Sequence, residues 1–189
     1  MRDGSPGDVR QVHDARALAA LGHADRWRII DRLAVSGTAT TGELADALGL
    51  ATGSISHHLR VLAEAGLVER APDGDDRRQR SWRLVSRGLR WSPAQFRDSA
   101  AEAVATAADG ALLARQFESA RAFLASAEEP WDEAAYGSHV WLRLTPAELV
   151  ELGAELDELL LRWRRRELPD DGAERTTVLA FARAFPTDP

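Results

Sequence analysis

The chain has 189 residues, an apolar share of 44%, a charged share of 29% and a net charge of −6. That length suits two modest modules, each with its own core, and no apolar run approaches the roughly 18 residues a membrane-spanning helix needs, so no membrane partner is expected. There is no cysteine, which removes disulfides, thiolate metal sites and thiol redox sensing.

The acidic sum is unevenly placed. Residues 1–91 carry 14 arginines against 12 acids, residues 92–189 carry 10 against 18, and the stretch 51–91 has 8 against 5. A polyanionic partner feels such a local patch and not the whole-chain charge.

In chain order, the polar, Gly- and Pro-containing start predicts an unstructured tail over residues 1–12 of a cytoplasmic chain, unlike a secretory signal. Asp14 caps a short helix that ends at Gly22. A second helix runs from Ala24 to Val35, with Trp27, Ile30, Leu33 and Ala34 inward and Arg28, Asp31 and Arg32 outward. Thr40 and Glu43 have the spacing of a capping box and open a third helix to Leu48. Gly49 supplies a turn, and a fourth helix follows from Thr52 to Ala65, closed by Gly66. Two short helices across a glycine turn are a helix-turn-helix layout. Leu67 to Arg70 and Arg80 to Leu84 then read as strands around the turn Pro72 to Asp75. The result is a hairpin whose exposed tip carries Arg77, Arg78 and Arg80.

Beyond it, Ser92-Pro93 has the form of a cap and first-turn proline for a long Ala-rich helix reaching toward Glu129. Phe96, Ala100, Ala103, Ala107, Gly110, Ala114 and Phe117 alternate steps of four and three, the spacing of a narrow helix-helix seam. A break at Asp109-Gly110 is the alternative. Val140 to Leu144 alternate as a strand, and Thr145 with Glu148 forms a second capping box. The helix after it bears Leu149, Leu152, Leu156, Leu159 and Trp163 on one face, and Thr176 to Phe185 is strand-like. The fold class expected is α+β, mainly helical: a winged helix-turn-helix domain over 13–91 and a dimerisation domain over 92–189. Whether the second domain also takes a small-molecule effector is left open.

The chemistry concentrates on the fourth helix. With Ile55 at zero on a helical wheel, Leu59 and Leu62 fall about 40 and −20 degrees away and form the buried face. Gly53, Ser56, His57 and Arg60 point the other way, with Thr52 and Ser54 in the same first turn. A polar outer face with short side chains at its start suits entry into a major groove, where Arg60 can meet a guanine or a phosphate. No phosphate-cradling glycine loop, activated nucleophile or convincing carboxylate pair is present, so an enzyme is not expected.

At these residues the chain resembles the ArsR-like winged helix regulators. Ala19-Ala20-Leu21-Gly22-His23-Ala24-Asp25-Arg26-Trp27-Arg28-Ile29-Ile30 is similar to that family's opening signature. Glu43-Leu44-Ala45 and Ile55-Ser56-His57-His58-Leu59-Arg60-Val61-Leu62, running into Ala65-Gly66-Leu67-Val68, are similar to its recognition segment. The resemblance implies that the matched helix enters the major groove through Thr52, Gly53, Ser56, His57 and Arg60. It also implies that the wing, through Arg77, Arg78 and Arg80, touches backbone or minor groove. Two departures stand out. Ala51 occupies the family's usual capping serine, so Thr52 caps late or the helix start is weaker, and the cysteine pairs through which many members sense metals are absent. His13, His23 and His139 show no paired ligand spacing, and His57 and His58 face different ways. The expectation is therefore a member that senses no metal and needs no cofactor, with His58 a packing residue and His57 a DNA contact. Its partners are double-stranded DNA and a second copy of itself. It is read as a sequence-specific regulator, a dimeric repressor on a near-palindromic operator. The alternative is a winged-helix protein-interaction module without DNA binding, for which the acidic second half is the only support.

Overall fold

A computed structural model describes residues 7–72, 80–97 and 99–188, and the chain divides into two compact units, Met1–Arg121 and Ala122–Pro189.

Of the segment 1–12 expected as a tail, residues 1–6 lie outside the described residues and the rest is not a tail: β1 (Gly7–Gln11) lies parallel to β5 (Ser86–Arg90), with Val9 opposite Gly88 and Gln11 opposite Arg90. The pairing extends one residue further, since the Val12 amide donates to the Arg90 carbonyl at 2.8 Å and Val12 itself is buried. A short strand rich in Gly and Asp has weak intrinsic preference, so only this distant partner makes it a strand.

Three helices follow, each opened by a side-chain cap. α1 (Ala15–Leu21) is capped by Asp14, which accepts from the Arg16 amide at 2.9 Å. α2 (Ala24–Ser36) is capped by His23, whose Nδ1 accepts from the Asp25 amide at 3.2 Å. After the two-residue strand β2 (Thr38–Ala39), α3 (Thr41–Leu48) has the full capping box expected of Thr40 and Glu43. Those two bonds hold the Glu43 carboxyl below its ordinary range, the backbone bond from Thr40 being the larger cause. Gly49 ends α3 at φ +64°, the left-handed conformation that glycine takes without a Cβ penalty.

α4 (Thr52–Glu64) starts after Ala51, which offers no side-chain cap. The weaker of the two expected starts is the one that occurs, and Thr52 does not substitute as a cap. β3 (Val68–Arg70) and β4 (Trp82–Leu84) form the expected antiparallel hairpin, with Glu69 opposite Arg83. β2 adds a third strand on the far side of β4, giving the order β2-β4-β3. The tip of the hairpin, 73–79, lies outside the described residues. Leu18, Leu21, Ile29, Leu33, Leu44, Ile55, Leu59 and Leu62 are all fully buried where α1 to α4 converge. At about 1.5–3 kcal/mol per buried aliphatic side chain, this cluster is the main source of the unit's stability.

The single long helix expected from Ser92 is divided. Ser92 caps only a 3-10 turn, Pro93–Phe96, which ends where Arg97 adopts an extended ψ of 141°, and α5 (Glu102–Ser126) begins afterwards. Asp109-Gly110 does not interrupt α5. Ala105 and Ala108 face the core of the first unit, together with the partly buried Val104 and Leu112. Ala103, Ala107, Gly110, Ala114 and Phe117 of the predicted seam are exposed.

In the second unit, α6 (Trp131–Ala134) precedes α7 (Pro146–Arg165), and α7 carries the expected capping box of Thr145 and Glu148. The two predicted strands, Val140 to Leu144 and Thr176 to Phe185, do not form. A strand needs a neighbour for its backbone groups, and within one chain these segments find none; Val140, Leu142 and Val178 are more than half exposed. No described residue of this unit is buried. No described helix in either unit is long and apolar enough to cross a membrane.

Candidate nucleic-acid interface

The inner face of α4 fixes its outer face. Ile55, Leu59 and Leu62 are 0% exposed, so the helix cannot roll without opening the core. Ser56, His57, Arg60 and Glu64 are then exposed on the opposite side, with Thr52 and Gly53 exposed at the helix start and Ser54 half-buried. Gly53, Ser56, His57 and Arg60 thus share one accessible stripe, with Thr52 and the half-buried Ser54 on its two flanks. Arg60 Nη2 stands 3.3 Å from His57 Nδ1 and Arg60 Nε 4.0 Å from Glu64 Oε1. Both contacts are solvent-exposed, so they cost little to exchange for a ligand's groups.

Ala51 offers no side-chain cap and no acid occupies the first turn of α4, so neither offsets the positive end of the helix dipole at the exposed Thr52 and Gly53. Such an end suits a phosphate group.

The hairpin supplies a second basic surface. Arg70 stacks over the Trp82 ring at 3.8 Å and donates to the Arg80 carbonyl at 2.9 Å, which ties the two strands together below the tip. Trp82 in turn donates from Nε1 to Thr41 Oγ1 at 3.3 Å, anchoring the hairpin to α3. Arg83 is paired internally with Glu69 at 2.7 Å. Arg80 is exposed; Arg77 and Arg78 lie outside the described residues.

Two features of the site escape a reading of the sequence. Arg70 lies next to the hairpin's basic residues, and its alternation within a strand is the signal that could have added it to them. The other is His58, which is buried on the flank of α4's inner face, as a packing role predicts, but has His23 and Asp25 for neighbours. Burial lowers its pKa, and the charges of His23 and Arg26 lower it further against the opposing pull of Asp25.

A helix-turn-helix with a three-stranded wing defines the first unit as a winged helix-turn-helix module. Residues 21–71 match the family model described as a helix-turn-helix domain. Over 74 residues the chain is 38% identical to an uncharacterised HTH-type transcriptional regulator of Mycobacterium bovis, covering 39% of this chain and 46% of that protein. An uncharacterised HTH-type regulator of Mycobacterium tuberculosis matches to the same extent. The chain therefore spans about half the length of these curated relatives. Among solved structures, a fragment of a possible transcriptional regulatory protein from M. bovis is 29% identical, over 39% of this chain and 74% of that one, at a TM-score of 0.34. A homodimeric winged helix-turn-helix DNA-binding domain from M. bovis, described as a possible ArsR-family regulator, is 23% identical over 67% of this chain and 88% of that one, at a TM-score of 0.35.

Proposed function

We propose that the chain is a sequence-specific DNA-binding transcriptional regulator of the ArsR-like kind, acting as a homodimeric repressor on a near-palindromic operator. The observation that carries this reading is the polar outer stripe of α4, held outward by three fully buried residues and set in one unit with a basic hairpin. In this account Ser56, His57 and Arg60 meet base edges in the major groove, and Thr52, Gly53 and Ser54 approach the flanking phosphates through the open start of α4. Arg77, Arg78 and Arg80 on the wing touch backbone. Two subunits place two copies of α4 in successive major grooves about 34 Å apart, which is why the operator should be near-palindromic. The exposed small-residue seam of α5 and the unburied second unit supply apolar surface for a partner subunit.

Gel-shift titration of sheared genomic DNA from the source genome, at low and high salt, tests the reading. A subset of fragments should be retained against excess competitor, and log affinity should fall linearly with log salt, by about 0.9 per phosphate contact. Absence of retention at low salt would overturn it in favour of an interaction module.

A further inference from the structure

We propose that His23, Asp25 and His58 form a binding site for a first-row divalent transition cation such as Zn2+, joining the start of α2 to the inward side of α4. The site adjoins the outer stripe of α4 at His57, whose ring meets that of His58 edge-on at 5.6 Å, but it does not rest on DNA binding. One ligand atom from each residue lies within 4.8 Å of the other two. The Asp25 Oδ2 stands 3.9 Å from His23 Nδ1 and 4.0 Å from His58 Nε2, and the two rings have centroids 4.7 Å apart. These gaps are too long for direct hydrogen bonds. Around a tetrahedral cation with bonds of 2.0–2.1 Å, neighbouring ligand atoms stand about 3.4 Å apart, so closure requires only a small inward movement. His23 can make it, because its side chain is 49% exposed, and its Nδ1 then gives up the Asp25 amide that it caps at 3.2 Å for the cation.

Two imidazoles and one carboxylate, with a position left open to water, are a donor set that suits zinc, cobalt, nickel or copper and not the hard alkaline-earth ions. The carboxylate is already oriented. Its Oδ1 is held by Arg28 at 3.1 Å, and Arg28 is fixed from behind by donating to the Leu48 carbonyl at 2.7 Å, which leaves Oδ2 for both rings. Such outer partners are what a metal-binding carboxylate needs. His58 contributes from the buried side: its side chain is only 8% exposed, and its Nε2 is the ring atom that faces Asp25. Arg26 is the cation that opposes the site, and its guanidinium is drawn to the Ala19 and Ala20 carbonyls at 3.3 and 3.0 Å.

Titrating the untagged full chain with Zn2+, and with Co2+ as a visible reporter, tests the proposal. One equivalent should bind and raise the melting temperature. His23→Asn retains the helix cap and Asp25→Asn retains an acceptor for Arg28, so both variants should melt like the parent without metal. Each should nevertheless lose more than the roughly 10- to 100-fold in Zn2+ affinity that removal of an outer partner alone costs. His13→Ala and His139→Ala, which remove histidines elsewhere, should bind as the parent does. The proposal is overturned if the parent shows no saturable binding, if His23→Asn and Asp25→Asn bind Zn2+ unchanged, or if the His13 or His139 variants lose it.

Discussion

Gly66 shows how a single position joins the two ends of the first unit. It follows α4 at φ +65°, and a Cβ there would stand 3.2 Å from Nη1 of Arg10, the group that donates to the Gly66 carbonyl. Gly66→Ala should therefore cost at least the roughly 1–2 kcal/mol of a left-handed non-glycine residue, read as a lower urea midpoint with an unchanged slope. An unchanged midpoint would mean that the turn relaxes freely. His58 makes a pH prediction. Its folded pKa lies below the ordinary value of 6.5, so below that value the unfolded chain takes up a proton that the folded chain refuses. Stability should thus be fully present above about pH 6.5 and fall as the pH drops toward the folded pKa, whereas Glu43, held below 4.5, loses its contribution only at lower pH. Urea unfolding at several pH values, compared with His58→Gln, checks this; identical pH dependence in the two proteins would contradict it. The outer residues of α4 were legible because Ile55, Leu59 and Leu62 mark the inner face within two turns of one helix. The grouping of His23 and Asp25 with His58 was not, since it arises only when α2 packs on α4.

At the scale of elements, what could be read followed from how local the cause was. The capping boxes at Thr40 and Thr145 and the left-handed Gly49 are contained in a few consecutive residues, and they appear as expected. β1 depends on a partner nearly eighty residues away, and its own residues predict only a tail. The strand-like alternation at Val140 to Leu144 met no partner and formed no strand. For α5 the four-three spacing from Phe96 to Phe117 does not hold as one face: Phe96 lies before the helix and joins the core, which also takes Ala105 and Ala108, while the stripe Ala103, Ala107, Gly110, Ala114 and Phe117 is exposed. If that stripe joins two subunits, Ala107→Glu should weaken association by tenfold or more, roughly 1.4 kcal/mol, while leaving the unfolding of the monomer nearly unchanged. Sedimentation equilibrium reads the first and thermal melting the second. An intact dimer would move the interface to another surface.

For the whole molecule, the boundary of the first unit falls well beyond the hairpin. Ala105 and Ala108 are fully buried, and Arg115 pairs with Asp31 of α2, so a fragment ending at Arg121 should keep a cooperative melting transition. One ending at Arg90 should lose several kcal/mol with the contacts of α5. Equal stability of the two fragments would show that α5 contributes nothing to this core. The central claim, that the outer stripe of α4 reads bases in duplex DNA, has its most direct test in one comparison. The full chain and Arg60→Ala are titrated against a duplex enriched from a random library and against a scrambled duplex of the same length, at fixed salt. The account predicts that the parent prefers the enriched duplex by about 10³-fold or more. Arg60→Ala should lose about 1–3 kcal/mol on that duplex and much less on the scrambled one, with its melting temperature unchanged because Arg60 is exposed. Equal affinity of the parent for both duplexes, or an Arg60→Ala variant that discriminates as well as the parent, would contradict it.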